Sequence, residues 1–143
     1  MLLLSWNIRG LNSPLKQHEV VSHIKKNNVY GLLKTKLTSS KLQFMHKFRL
    51  KNWRSFSNVE AVGIATIIVL WNPSTVKVDL IDLSTQAFHV SINSLESQYT
   101  FATTFVYSFN MIIARRQLWD DLRSWAPACP CIILGDFNSI MSI

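Results

Sequence analysis

Cys131-Ile132-Ile133-Leu134-Gly135-Asp136-Phe137-Asn138 is the stretch of the 143-residue sequence from which the fold can be read. An apolar run that goes straight into glycine reads as a strand buried on both faces. The glycine lets the backbone leave the sheet, so polar side chains arrive at the strand's carboxyl end. Asp136 and Asn138 are two positions apart, and in extended chain they point the same way. A carboxylate and an amide oxygen suit a hard cation, and the amide also suits a phosphate or an attacking water. Asp and Asn also favour turns, so a strand followed by a plain turn explains the same residues. Deciding between the two requires partners elsewhere in the chain.

The same strand-then-polar pattern recurs upstream. Residues 2–6, Leu-Leu-Leu-Ser-Trp, read as a buried strand and end on Asn7. Ser13 followed by Pro14 predicts a helix start, cap then first-turn proline. Val20, Val21 and Ile24 supply its apolar side, and Asn27-Asn28 ends it. Residues 29–33 read as a second buried strand leading to Lys34, Thr35 and Lys36. Strand, helix and like strand predict a layered α/β fold. Leu42, Met45 and Phe48 predict a short helix over 39–50, and Trp53 and Phe56 open a β-like region. Residues 61–71 predict a strong strand stopped by Asn72-Pro73. Val76 and Val78, then Phe88, Val90 and Ile92, alternate with polar neighbours, as half-exposed antiparallel strands do. His89 and Ser91 fall on the exposed face of that alternation. Residues 99–107 predict a further strand, and 112–125 a helix with Leu118, Leu122 and Trp125 on one stripe.

Composition narrows the class. With 48% hydrophobic residues the chain is too apolar to be disordered, and its length suits one domain. The net charge of +7 is uneven: residues 1–60 hold 11 basic and 2 acidic side chains, residues 61–143 only 4 basic and 6 acidic. A basic half attracts polyanions, nucleic acid first among them, although a solvated basic face gives the same count. Two cysteines, Cys129 and Cys131, make neither a disulfide framework nor a zinc site, and point to a reducing, intracellular setting. The longest apolar run, 64–71, is too short for a membrane span, so no membrane partner is expected.

Four predicted strand ends carry polar groups: Asn7, Lys34, Tyr107 with nearby Asn110, and Asp136 with Asn138. Open α/β sheets gather ligands at such ends. Amides, a phenol and a carboxylate together suit phosphate-ester chemistry with Mg²⁺.

Taken in order, Trp6-Asn7-Ile8-Arg9-Gly10, Leu32-Leu33-Lys34-Thr35, Tyr107 and Gly135-Asp136-Phe137-Asn138 resemble the endonuclease/exonuclease/phosphatase superfamily, which includes the DNase I-like and exonuclease III-like nucleases. More narrowly, residues 6–12, Leu70-Trp71-Asn72-Pro73 and Arg116-Gln117-Leu118-Trp119 are similar to the endonuclease domain of plant non-LTR retrotransposons. The resemblance implies part of a four-layer α/β sandwich, DNase I-like, in a single domain over 1–143 that lacks its C-terminal strands. It implies hydrolysis of nucleic-acid phosphodiesters with Mg²⁺ or Mn²⁺. Asp136 would hold the attacking water, Asn138 and Tyr107 would contact the phosphate, and Asn7 would hold the metal or a phosphate oxygen. Arg9, Lys25, Lys26, Lys51 and Asn110 are the expected nucleic-acid contacts, with DNA as the partner. A lipid or inositol phosphatase is the weaker alternative within the superfamily.

Two departures point the other way. The family's metal-binding glutamate is replaced by Lys34, whose ammonium offers no lone pair and repels a cation. The family's final Asp-His pair is not found, and His18, His23, His46 and His89 read as surface residues. The sequence therefore gives two readings: a nuclease-type domain inactive as it stands with metal binding in doubt, or a non-catalytic remnant that binds nucleic acid through its basic half. A further expectation is self-association through an uncovered sheet face and unpaired strand edge.

Overall fold

The computed structural model describes residues 1–125 and 131–138. Cys129 of the cysteine pair lies outside these residues. Among these residues eight strands and four helices follow in the order β1 (Leu3–Asn7), α1 (Pro14–His23), β2 (Val29–Leu37), α2 (Ser39–Phe48), β3 (Arg54–Ser57), α3 (Val59–Val62), β4 (Ala65–Trp71), β5 (Val76–Leu83), β6 (Ala87–Ser94), β7 (Thr100–Tyr107), α4 (Ile112–Trp125) and β8 (Cys131–Asp136). They form two four-stranded sheets, ordered β1-β2-β4-β3 and β5-β6-β7-β8.

The helix starts follow from local chemistry. Ser13 accepts from the Lys16 amide with Pro14 at the first helical position, and Thr38 caps α2 through the Lys41 amide. The helix α4 has the predicted bounds and buries Leu118 and Leu122. Each sheet contains one parallel strand–helix–strand unit, β1-α1-β2 and β7-α4-β8.

The sheets pack face to face. Leu33, Ile67, Val69 and Trp71 of the first interlock with Val78, Phe88, Val90, Ile92 and Phe105 of the second. The outer face of the first sheet packs with Val20 of α1, Ile24 just after it and Met45 of α2; that of the second carries Leu118 and Leu122 of α4. The order is helix, sheet, sheet, helix: four layers.

Four expectations change. The sheet face expected to be uncovered is packed: among the described residues the second sheet has four strands, and its inner face and that of the first cover each other. The strand expected over 61–71 begins at Ala65, because Asn58 turns its side chain onto the Thr66 and Ile67 amides and a short helix fills 59–62. His89 is 3% exposed instead of solvated, because α4 lies over its face: its Nδ1 is 2.7 Å from Thr104 Oγ1 and its ring stacks on Trp125 at 5.2 Å. The strand β8 is not buried on both faces. It is the outermost strand of its sheet among the described residues, with Ile132 and Ile133 exposed. A continuous apolar run does not distinguish a central strand from an edge one.

Candidate functional site

The parallel pairs β1-β2 and β7-β8 bring their carboxyl ends to one pole, where the edge strands β1 and β8 of opposite sheets approach each other. Asn7 ends β1 and Asp136 ends β8. Asn7 Nδ2 donates to Asp136 Oδ2 at 3.0 Å, joining the two sheets across 129 positions of sequence. The other carboxylate oxygen accepts from the Asn138 amide at 2.9 Å. Asn138 Nδ2 donates in turn to the Ser108 carbonyl at 2.6 Å, and the Ser108 amide to the Asp136 carbonyl at 2.8 Å. Asn138 takes a left-handed φ of 45°, which asparagine tolerates better than most residues. A cleft of about 690 Å³ opens here, lined by Ser5, Asn7, Leu33, Gly135, Asp136, Phe137 and Asn138.

Gly135 does not release the backbone from the sheet, since it still pairs with Val106. At its φ of +147° a Cβ would collide with the Val106 backbone, whose C and N would lie 2.8 Å away. The residue lets β8 run close against β7 up to the site.

Tyr107 pairs in register with Asp136. Burial first, and the Asp136 charge second, raise its phenol above the ordinary value of 10.0. It therefore stays a neutral hydrogen-bond donor through the physiological range. Lys34 sits at the end of the straight part of β2, in the left-handed region at φ 55°, with Lys36 likewise at 57°. Between them Thr35 is fully buried and donates to the Ala65 carbonyl at 2.5 Å. The double reversal is a bulge in the β2-β4 register between Leu33 and Leu37.

The helix α4 buttresses the site. Trp119 stacks on Phe137 with ring centroids 5.9 Å apart and planes within 3°. Arg115 Nη1 donates to the Asn138 carbonyl. Sequence reasoning missed Arg115, Ser108 and Ser5 as site neighbours. For Arg115 the available signal was a basic pair in the first turn of a helix that precedes the site strand.

The expected nucleic-acid contacts separate. Arg9 follows β1 and Asn110 follows β7, both exposed at the site pole. Lys25 and Lys26 precede β2 and Lys51 precedes β3, and these strand starts lie at the other end of the first sheet, because Arg54 pairs with Trp71 and Tyr30 with Leu70.

A cation fits this donor set poorly. Asp136 is the single carboxylate among the lining residues, and both its oxygens already accept hydrogen bonds. Asn7 Oδ1 is buried without a partner, so one oxygen is on offer. No set of three His, Cys, Asp or Glu side chains capable of holding a metal occurs among the described residues. A hard cation needs about six oxygens, usually with more negative charge than one shared carboxylate supplies. Lys34, expected at the position of a second carboxylate, is not among the residues that line the cleft, and neither is Tyr107.

No protein-family model matches the sequence. The architecture nevertheless recurs in solved structures. The endonuclease domain of TRAS1, a telomere-specific non-LTR retrotransposon, matches with a TM-score of 0.68 at 12% identity over 96% of this chain and 60% of that one. D. rerio TDP2 in complex with a single-strand DNA product gives 0.67 at 17% identity, 97% of this chain and 61% of that one. An endonuclease/exonuclease/phosphatase family protein from Bacteroides thetaiotaomicron gives 0.65 at 11%, 95% and 62%. The fold is thus the DNase I-like α/β sandwich of endonuclease/exonuclease/phosphatase proteins. The chain spans about three fifths of the length of each of these structures.

Proposed function

We propose that this chain is a phosphodiester-recognising domain of endonuclease/exonuclease/phosphatase type, related to the endonuclease domains of plant non-LTR retrotransposons, that binds DNA and as it stands does not cleave it. The observation that carries the reading is the Asn7–Asp136 hydrogen bond, which closes the strand ends of both sheets around one polar cleft. Tyr107, kept protonated, donates to a phosphate oxygen. Asn138 is fixed by Ser108 and Asp136 beside it. Asp136 would orient a water against that phosphate. With Lys34 in place of a second carboxylate, the site keeps affinity for phosphate and loses the charge that a catalytic Mg²⁺ or Mn²⁺ requires. The retroelement reading rests on residues 6–12, 70–73 and 116–119 of the sequence. The half-exposed edge strand β8, with Ile132 and Ile133 outward, is the surface for any self-association.

Supercoiled plasmid is the decisive substrate. In Mg²⁺ or Mn²⁺ the chain should nick no faster than a Lys34→Ala/Asp136→Ala double variant, and Lys34→Glu alone should not create activity. Metal-dependent nicking that vanishes in Asp136→Ala would establish a working nuclease instead. Binding should be weak and salt-sensitive: with roughly 3–4 phosphates neutralised, log affinity falls against log salt with a slope near −3. Affinity indifferent to salt would remove the nucleic-acid reading.

A further inference from the structure

At the pole opposite the Asn7–Asp136 cleft lies a groove of about 550 Å³ lined by Lys26, Lys51, Asn52, Trp53, Arg54, Asn72, Pro73 and Ser74. Three separate connections build it: the approach to β2, the turn before β3, and the turn after β4. Their convergence is a consequence of register, since β3 and β4 run antiparallel and Arg54 faces Trp71. The lining holds three cationic side chains and no carboxylate. Among the described residues none of the three makes an ion pair, and none of their charged ends holds a hydrogen bond within the chain. Two carboxylates adjoin the groove without lining it: Asp79, beside Arg54 and paired with Lys77 at 3.7 Å, and Glu96, beyond Ser74.

The neutral residues add donors. Asn72 Oδ1 accepts from both the amide and the hydroxyl of Ser74, at 3.0 and 2.7 Å. That turn uses the oxygen and leaves the Nδ2 donor of Asn72 unspent. The wall also carries the indole of Trp53, braced against Tyr30 at 6.4 Å. Cations contributed by three separate connections, with an aromatic side chain in the same lining, match a chain of several phosphates better than a single phosphate. The four steps of β2 from Val29 to Leu33 alone cover about 13 Å at ~3.3 Å per residue, so this groove and the strand-end cleft are separate sites.

We propose that this groove is a second anion site, taking the sugar-phosphate backbone of a nucleic-acid strand independently of the Asn7–Asp136 cleft. It rests on the nucleic-acid reading of the chain but not on the strand-end residues. Two sites at opposite poles hold two segments of nucleic acid, or one segment wrapped along the first sheet.

The test uses the full chain, a fluorescent 20-nucleotide single-stranded DNA and anisotropy at several salt concentrations. Neutralising the groove (Lys26→Gln, Lys51→Gln, Arg54→Gln) should weaken binding at least tenfold at low salt. It should also flatten the salt slope by about 2, the share of three phosphates on a single strand. A charge-matched control on the helical layer (Lys16→Gln, Lys41→Gln, Lys47→Gln) should change affinity less than threefold. Asn7→Ala/Asn138→Ala should leave the groove's contribution intact, so a failure of the strand-end reading remains distinguishable. Equal losses in the groove and control variants would overturn the proposal, as would no loss in the groove variant. Tighter binding of a phosphopeptide of equal charge, abolished by the same three substitutions, would also overturn it, by assigning the groove to a protein partner. The groove substitutions are at exposed side chains, whereas Asn7 and Asn138 are half-buried, so an unchanged far-UV spectrum and melting point certify each variant before titration.

Discussion

The ring of Phe105 in the second sheet lies on the bare backbone of Gly31 in the first, and a Cβ at Gly31 would put Cε1 and Cγ of that ring 2.9 Å away. Both residues are buried, at the middle of the interface between the sheets. Gly31→Ala should therefore destabilise the chain by about 1–3 kcal/mol through overpacking, although alanine is the better strand residue in isolation. Urea unfolding measures the change. Phe105→Leu in the same chain should recover part of the loss, whereas simple additivity of the two changes would show that the ring is not what Gly31 accommodates.

Tyr107 and Asp136 are linked electrostatically. Burial is the larger cause of the raised phenol pKa and the Asp136 charge the smaller. In Asp136→Asn the Tyr107 titration, followed near 295 nm against a Tyr107→Phe reference, should move down toward 10.0 but remain above it. A titration that does not move would separate the two groups and weaken the strand-end site as a unit.

The Asn138 amide proton reports on the buttress supplied by α4. It donates to Asp136 while Trp119 stacks on the adjacent Phe137. Trp119→Ala removes a stacked pair worth roughly 0.5–1.5 kcal/mol beyond its buried area. Hydrogen exchange at Asn138 should accelerate about three- to tenfold while amides in β6 keep their protection. Uniform acceleration throughout the chain would mean that Trp119 supports global stability and not this loop.

His89 makes stability depend on pH. Burial lowers its pKa below 6.5, with Asp82 opposing the shift. The unfolded chain then binds the proton more readily than the folded one. Stability is full above pH 6.5 and is lost as pH falls through that value toward the folded-state pKa. Protonation weakens a fold in which the ring is packed between Thr104 and Trp125. Urea midpoints for the chain and for His89→Gln should diverge between pH 8 and pH 5, the parent losing more on acidification. Parallel profiles would place the acid sensitivity elsewhere.

The sequence by itself determined what depends on neighbours a few positions away. The Ser13-Pro14 cap, the apolar stripe that bounds α4 at Ile112–Trp125, and the strand leading into Asp136 are local features, set by hydrogen bonds and periodicity within one element. The candidate residues were legible for the same reason, since Asn7, Lys34, Tyr107 and Asp136 each follow an apolar run, but of these four only Asn7 and Asp136 line the cleft. Tertiary structure alone decided what depends on non-local pairing. Alternation told that His89 and Val90 face opposite ways, but not that α4 would cover the polar side. Charge counting gathered Arg9, Lys25, Lys26 and Lys51 into one basic half, but strand direction sends Arg9 to the site pole and the three lysines to the other. The apolar run 131–134 announced a strand, yet its place at the edge of the second sheet comes from pairing with β7, and the 3.0 Å hydrogen bond from Asn7 in the candidate site comes from sheet packing that joins residues 129 positions apart.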